Sequence, residues 1–166
     1  VLRSLHECAY RDLPPWDLPD ELRGRRRELR QAPPGSDRGR LAGWIEDLER
    51  RRPPLGPDVP LHCDAHGGNV MRYDGQAVLV DLDGLALGPR EYDLATWAVS
   101  QPRDARAERD LQTLVRAYGP DLIDLDVLAW CLDLSEVNVL TWLVLDGRAW
   151  SGAEEEFHAR LASVRP

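Results

Sequence analysis

Two short segments hold most of the polar side chains that helical or strand periodicity does not account for. They are His62-Cys63-Asp64-Ala65-His66-Gly67-Gly68-Asn69, and Asp81 with Asp83. Between them lie two β-rich runs, Val70–Tyr73 and Gln76–Val80, separated by Asp74-Gly75, a strong short-range hairpin signal. With Asp74-Gly75 as a two-residue turn, Tyr73 faces Gln76, Arg72 faces Ala77, Met71 faces Val78 and Val70 faces Leu79. Continued, this register sets Asn69 opposite Val80 and Asp81 opposite Gly68, bringing Asn69 and Asp81 within about 5 Å at the open end of the ribbon. Asp64 lies on the incoming loop, five residues before Asn69. An amide oxygen and a carboxylate suit a hard divalent cation such as Mg²⁺, which takes oxygen ligands and keeps positions for water and phosphate. The spared carboxylate, Asp64, could accept a proton from an attacking hydroxyl. These are the groups that phosphoryl transfer requires from one side of a site.

Two other chemistries compete for the same residues. His62, Asp64 and His66 could ligate zinc, but the histidines sit in a glycine-bearing loop before a strand and no third histidine motif follows. Val78-Leu79-Val80-Asp81-Leu82-Asp83-Gly84 looks like the nucleophile strand of haloacid dehalogenase-type phosphatases, with Asp81 attacking phosphate and Asp83 as acid/base. That family continues in alternating strands and helices with a later basic residue, usually lysine; here helical patterns follow and the chain has no lysine. Taken singly, Asp64 reads equally as a turn aspartate and Asn69 as a strand start. Cys63 reads as a small buried residue rather than a nucleophile.

The elements that must position these residues are mainly helical. Leu2, Leu5 and Ala9 predict a helix from Val1 to about Arg11, and a second, charged helix covers Asp20 to Gln31. Pro33-Pro34-Gly35 is a loop. Leu41, Trp44, Ile45 and Leu48 give an i, i+3, i+4, i+7 stripe ending at Arg52. After Pro89 the pattern returns to helix, with Tyr92, Ala95 and Val99 on one face. Leu111, Leu114, Val115 and Tyr118 mark another helix, closed by Gly119-Pro120. A largely apolar stretch from Asp126 to Asp146, ended by Gly147, predicts a buried central helix, and Ala153 to Val164 a last amphipathic one. Trp44, Trp97, Trp130 and Trp142 all read as core.

The chain has 166 residues, enough for one domain with a substantial core. Its net charge of −8 argues against nucleic acid as a partner. The arginine runs Arg25–Arg27 and Arg50–Arg52 read as solvated helix surface. No apolar run is expected to span a bilayer and no secretory signal opens the chain, so no membrane partner is expected. Three cysteines without a CxxC pair make a disulfide framework improbable and a reducing cytoplasm the expected location. The acidic stretch from Asp121 to Glu156 suits a cationic acceptor. All 21 basic residues are arginine, so an ammonium on a phosphate must come from elsewhere. With Val1 opening directly into a helical pattern, this suggests an excised fragment.

His62-x-Asp64-x-x-x-x-Asn69 resembles the catalytic loop of kinase-like phosphotransferases, and HCDAHGGNVM is close to their HGDxHxGN form. Leu79-Val80-Asp81, then Gly88-Pro89 and Tyr92-Asp93-Leu94-Ala95, resemble the strand, metal aspartate and following helix of the aminoglycoside phosphotransferase and choline kinase superfamily. Val1–His6 looks like the helix after that family's interlobe hinge. The resemblance implies an α+β, mainly α fold: a protein-kinase-like C-terminal lobe over residues 1–166, with a catalytic loop and β-hairpin and without its N-terminal lobe. It implies Asp64 as catalytic base, Asn69 and Asp81 as Mg²⁺ ligands, and ATP or GTP as phosphate donor to a small hydroxylated molecule. His66 stands where protein kinases place a lysine, which implies an approach to the transferred phosphate, with loop support as the alternative. His62 is expected to brace the loop, Asp93 to cap or anchor its own helix, and Asp83 could supplement the metal ligands. Cys63 departs from the family's usual glycine. Lacking a glycine-rich phosphate loop, the fragment is expected to be inactive alone; a catalytically silent binding module is the other reading.

Overall fold

Helix formation follows the apolar stripes, and local capping sets the ends. In the computed structural model, which describes residues 1–30, 36–101, 107–145 and 152–163, the helices are α1 (Leu2–His6), α2 (Leu18–Leu29), α3 (Asp37–Arg50), α4 (Glu91–Ser100), α5 (Ala107–Tyr118), α6 (Leu125–Leu145) and α7 (Ala153–Ser163). The strands are β1 (Val59–Leu61), β2 (Val70–Tyr73), β3 (Gln76–Leu79) and β4 (Ala86–Gly88), with short 3-10 turns at Gly67–Asn69 and Pro120–Leu122. The fold is thus α+β and mostly helical. The expected loop at Pro33–Gly35, the helix stop at Gly147 and the terminal Val164 lie outside the described residues.

The chain divides into two compact units. The first comprises Val1–Trp16 and Pro53–Leu132, the second Asp17–Arg52 and Asp133–Pro166. In the first unit β1 and β4 pair antiparallel, with Val59 opposite Gly88 and Leu61 opposite Ala86. This pair went unrecognised in the sequence, because three residues that include Pro60 show no period. β4 is also bonded on its other side: the Trp16 N–H donates to the Leu87 carbonyl and the Leu87 N–H to that of Pro14, both at 2.8 Å. Those bonds require an extended backbone at residues 14–16, and α1 stops at His6 rather than near Arg11. A Cβ on Gly88 would come within 2.8 Å of both Leu61 Cδ1 and Trp16 Cβ, so only glycine lets the three segments close.

The β2–β3 hairpin has the register read from its turn: Tyr73 with Gln76, Arg72 with Ala77, Met71 with Val78 and Val70 with Leu79. Asp74 (φ 47°) and Gly75 (φ 76°) are both left-handed, as this turn requires. The ladder carries on to the bond from Val80 N–H to the Asn69 carbonyl (3.0 Å) and then ends. Gly68 and Asp81 do not pair as expected, since residues 67–69 tighten into a 3-10 turn and Asp81 adopts φ 61°. The ribbon is an exposed antiparallel pair. A dehalogenase-type nucleophile strand belongs to a buried parallel sheet, so the use of Asp81 and Asp83 in that chemistry does not fit this architecture.

α6 begins in this unit, where Asp124 Oδ1 accepts from the N–H groups of Asp126 (2.9 Å) and Val127 (3.2 Å). By length and composition Leu125–Leu145 could cross a bilayer, which corrects the expectation that no run could; most of it is buried within the protein, as in a core helix. Trp130 is buried and meets Trp16 edge-on, and Trp16 packs on Tyr92. Trp142 is 45% exposed, against its expected place in the core, because its neighbours Thr141 and Leu143 take the inward positions.

In the second unit α2 buries Leu18, Leu22 and Leu29, and α3 buries Leu41, Ala42, Ile45 and Leu48. Pro19 sits in the first turn of α2 and lets it start before Asp20, while the Ser36 hydroxyl accepts from Gly39 N–H (3.2 Å) to cap α3. The Arg25–Arg27 run is not simply solvated: Arg26 is half-buried and donates to Glu49 across the α2–α3 contact at 2.6 Å. Arg51 reaches Asp47 and, at 3.0 Å, Asp133.

Candidate active site

Because β1 and β4 pair antiparallel, the His62–Asn69 loop leaves at the Ala86 end of the ladder, while α4 follows Gly88 at the Val59 end. Asp93, on the first turn of α4, is fully buried and takes hold of that loop. Its Oδ2 accepts the His62 N–H (2.8 Å) and its Oδ1 the Cys63 N–H (2.9 Å), while Oδ2 also meets His6 Nε2 at 3.0 Å. Asp93 therefore anchors the loop rather than capping its own helix, because its carboxylate is occupied by donors from outside α4. His6 Nδ1 lies 2.7 Å from the Tyr118 hydroxyl. Neither His6 nor Tyr118 was singled out for the site; the available signal was a histidine on the Leu2–Leu5–His6 stripe of a helix otherwise set to face a core.

Bonding to Asp93 holds Cys63 at φ 67°, a left-handed conformation that favours glycine. The backbone thus keeps the turn expected of a glycine even though a cysteine occupies it. Left-handed geometry costs an ordinary residue about 1 kcal/mol or more, partly offset in a glycine variant by its freer unfolded chain. Cys63→Gly is expected to raise stability by about 0.5–1 kcal/mol, read from urea midpoints. A lower midpoint would mean that packing of the thiol outweighs the backbone term.

His62 is fully buried with both ring nitrogens engaged. Nε2 donates to the Val80 carbonyl at 2.9 Å, so Nδ1 is the acceptor for the Asp64 N–H at 3.3 Å. One ring thereby ties the loop to the exit of β3, the bracing role expected of it, and has no lone pair left for zinc. His66 Nδ1 accepts the Gly68 N–H (3.0 Å) and caps the 3-10 turn, with Nε2 3.5 Å from Asp64 Oδ2. A Cβ on Gly68 would sit 2.7 Å from His66 Cε1, so that position needs glycine for the imidazole to fold back.

Asn69 is buried, and its Nδ2 donates to Asp64 twice, to the carbonyl at 2.9 Å and to Oδ2 at 3.1 Å. Asp64, Asn69 and His66 are thus gathered at one point, with the Asp64 carboxylate largely in solvent. Asp81 follows Val80, the residue held by both Asn69 and His62, and its side chain is exposed, as is that of Asp83. With Nδ2 committed to Asp64, the Asn69 amide has Oδ1 left to offer. Together with the open carboxylates this is a hard-oxygen set of the kind Mg²⁺ takes. Among the described residues no group of three or more His, Cys, Asp or Glu could hold a metal. A cation here would keep several positions for water or phosphate, as Mg²⁺ does.

Behind the loop the surroundings are dry. Burial, and then the Cys63 thiol, push the Tyr92 hydroxyl above its ordinary range; burial does the same to the Cys131 thiol. The Tyr118 hydroxyl is also raised by burial, with Arg90 opposing.

A loop of HxDxxxxN form, braced by a buried histidine and an anchoring aspartate beside a hairpin, is accompanied by a family match over most of the sequence. The profile of the phosphotransferase enzyme family, APH, matches residues 1–131, and the chain belongs to that family. Among solved structures the chain shares its fold with a spectinomycin phosphotransferase, determined with ADP and spectinomycin (20% identity, TM-score 0.64, all of this chain and 60% of that one). It is also similar to the choline kinase LicA of Streptococcus pneumoniae (17%, TM-score 0.72, covering 98% and 61%) and to an ethanolamine kinase of Plasmodium vivax (17%, TM-score 0.64, covering 99% and 57%). The chain thus spans about 60% of the length of these structures. No curated protein matches it by sequence.

Proposed function

We propose that this chain is the C-terminal lobe of a kinase-like phosphotransferase, which moves a phosphoryl group from ATP or GTP to a hydroxyl of a small molecule. The observation that carries the proposal is the double hydrogen bond from the Asn69 amide to Asp64 in the HxDxxxxN loop. It orients the exposed carboxylate that would accept the proton of the acceptor hydroxyl. Asn69 Oδ1 and the Asp81 carboxylate would hold Mg²⁺, which when bound neutralises charge on the nucleotide phosphates. His62 and Asp93 keep the loop backbone in place from below, and His66, capping the turn beside Asp64, lies near enough to that carboxylate to approach the transferred phosphate. The acidic residues Asp121, Asp124 and Asp126 favour a cationic acceptor in the neighbourhood of α6. Spectinomycin, choline and ethanolamine are the acceptor classes suggested by the neighbouring structures.

The test is nucleotide consumption by the full-length protein across a panel of aminoglycosides, amino-alcohols and sugars, with the 166-residue chain run in parallel. The expected result is consumption by the full-length protein that requires both one acceptor class and Mg²⁺, and none by the 166 residues alone. Nucleotide binding by the full-length protein with no transfer to any acceptor would favour a silent binding module instead.

A further inference from the structure

We propose that Tyr118 is a positioning residue for the loop of residues 62–69, acting through His6 and Asp93; this rests on the phosphoryl-transfer reading of that loop. Tyr118, His6 and Asp93 are all buried, and they come from α5, α1 and α4. Tyr118 Oη is 2.7 Å from His6 Nδ1, His6 Nε2 is 3.0 Å from Asp93 Oδ2, and Asp93 accepts the N–H groups of His62 and Cys63. The line of contacts therefore runs from the end of α5 to the residue beside Asp64.

The direction of each hydrogen bond follows from what the atoms can do. A carboxylate oxygen only accepts, so His6 Nε2 carries a proton. In the neutral ring Nδ1 is then an acceptor, and the Tyr118 hydroxyl donates to it. Burial raises the pKa of that hydroxyl, and of the charged groups acting on it Arg90 opposes the rise while Glu91 and Glu7 add to it. Donation by Tyr118 thus satisfies the Nδ1 lone pair of the tautomer that the Asp93 carboxylate requires. Without its oxygen, Nδ1 becomes a buried acceptor lacking this donor. The tautomer that relieves it would turn an Nε2 lone pair toward Asp93 Oδ2. Either outcome weakens one of the donors that hold Asp93, whose remaining two are the loop amides. α5 ends at Tyr118 because Gly119 turns to φ 121°, which fixes where the hydroxyl is delivered.

The test needs no turnover, so its failure is distinct from failure of the phosphoryl-transfer reading. Imidazole ¹⁵N shifts of the wild-type protein are expected to report His6 with its proton on Nε2. In Tyr118→Phe, amide hydrogen exchange at His62 and Cys63 is expected to accelerate about tenfold, with Leu22 and Leu41 changed by less than about twofold. A wild-type His6 protonated on Nδ1, alone or together with Nε2, overturns the assignment, and that measurement needs no variant to fold. Unchanged exchange at His62 and Cys63 also overturns it. So does equal acceleration at all four amides, which would make Tyr118 merely structural.

Discussion

Replacing Asp64 by Asn is expected to slow phosphoryl transfer by the full-length protein about a thousandfold, with nucleotide affinity changed by less than about twofold. The substitution is close to isosteric and spares the local structure. The Asn69 bond to the Asp64 carbonyl is to the backbone and survives, and the side-chain bond can pass to the new amide oxygen. Asp64 N–H still reaches His62 Nδ1. What disappears is the carboxylate that could take a proton, at the one position where the loop presents it to solvent beside Asn69. Asn69 Oδ1 and Asp81, the groups assigned to the nucleotide side, are untouched. Steady-state kcat and a separate nucleotide-binding titration decide the matter. Turnover at the wild-type rate would remove Asp64 from the chemistry, whereas a parallel loss of nucleotide affinity would move it to the metal side.

The second large effect is expected behind the site. Asp93→Asn should lower stability by about 3 kcal/mol, because it removes one member of a buried set in which three donors converge on a single carboxylate. An asparagine offers one oxygen and would turn an NH₂ group toward an N–H, either that of Cys63 or those of His62 and His6. Equilibrium urea unfolding measures the loss, and two-state behaviour should be checked because the chain divides into two units. A change below about 1 kcal/mol would show that Asp93 does not hold the loop in the way the hydrogen bonds suggest. Taken together, the two substitutions test distinct roles: both residues are aspartates in recognisable motifs, yet one is open to solvent and the other is inaccessible.

Much of the local structure was legible in the residues, for reasons that stay within a few positions along the chain. The Asp74-Gly75 turn dictated the register of β2 and β3, because left-handed conformations at both positions permit only a two-residue connection between twisted strands. The Leu41–Leu48 stripe and the Gly119 stop marked α3 and α5 by periodicity and backbone freedom. The loop motif named Asp64, His66 and Asn69 together, and a loop that short has few ways to fold. Interactions between distant segments were not legible. Pro14–Trp16 shortening α1, Gly88 admitting Trp16 and Leu61, and the ladder stopping before Asp81 all depend on neighbours far along the chain.

Residue type and short-range spacing thus offered Asp64, Asn69 and Asp81 as an oxygen-bearing set, because they fix the available donors, acceptors and turns, and the family resemblance singled out phosphoryl transfer among the chemistries they allow. Only the tertiary structure decided that Asp93 and His6 join His62 in holding the loop while Asp64 and Asp81 face solvent. The reason is that burial and long-range hydrogen bonding, such as Asp93 gathering His6 and the amides of His62 and Cys63, arise from the packing of segments whose separation in sequence carries no local signal.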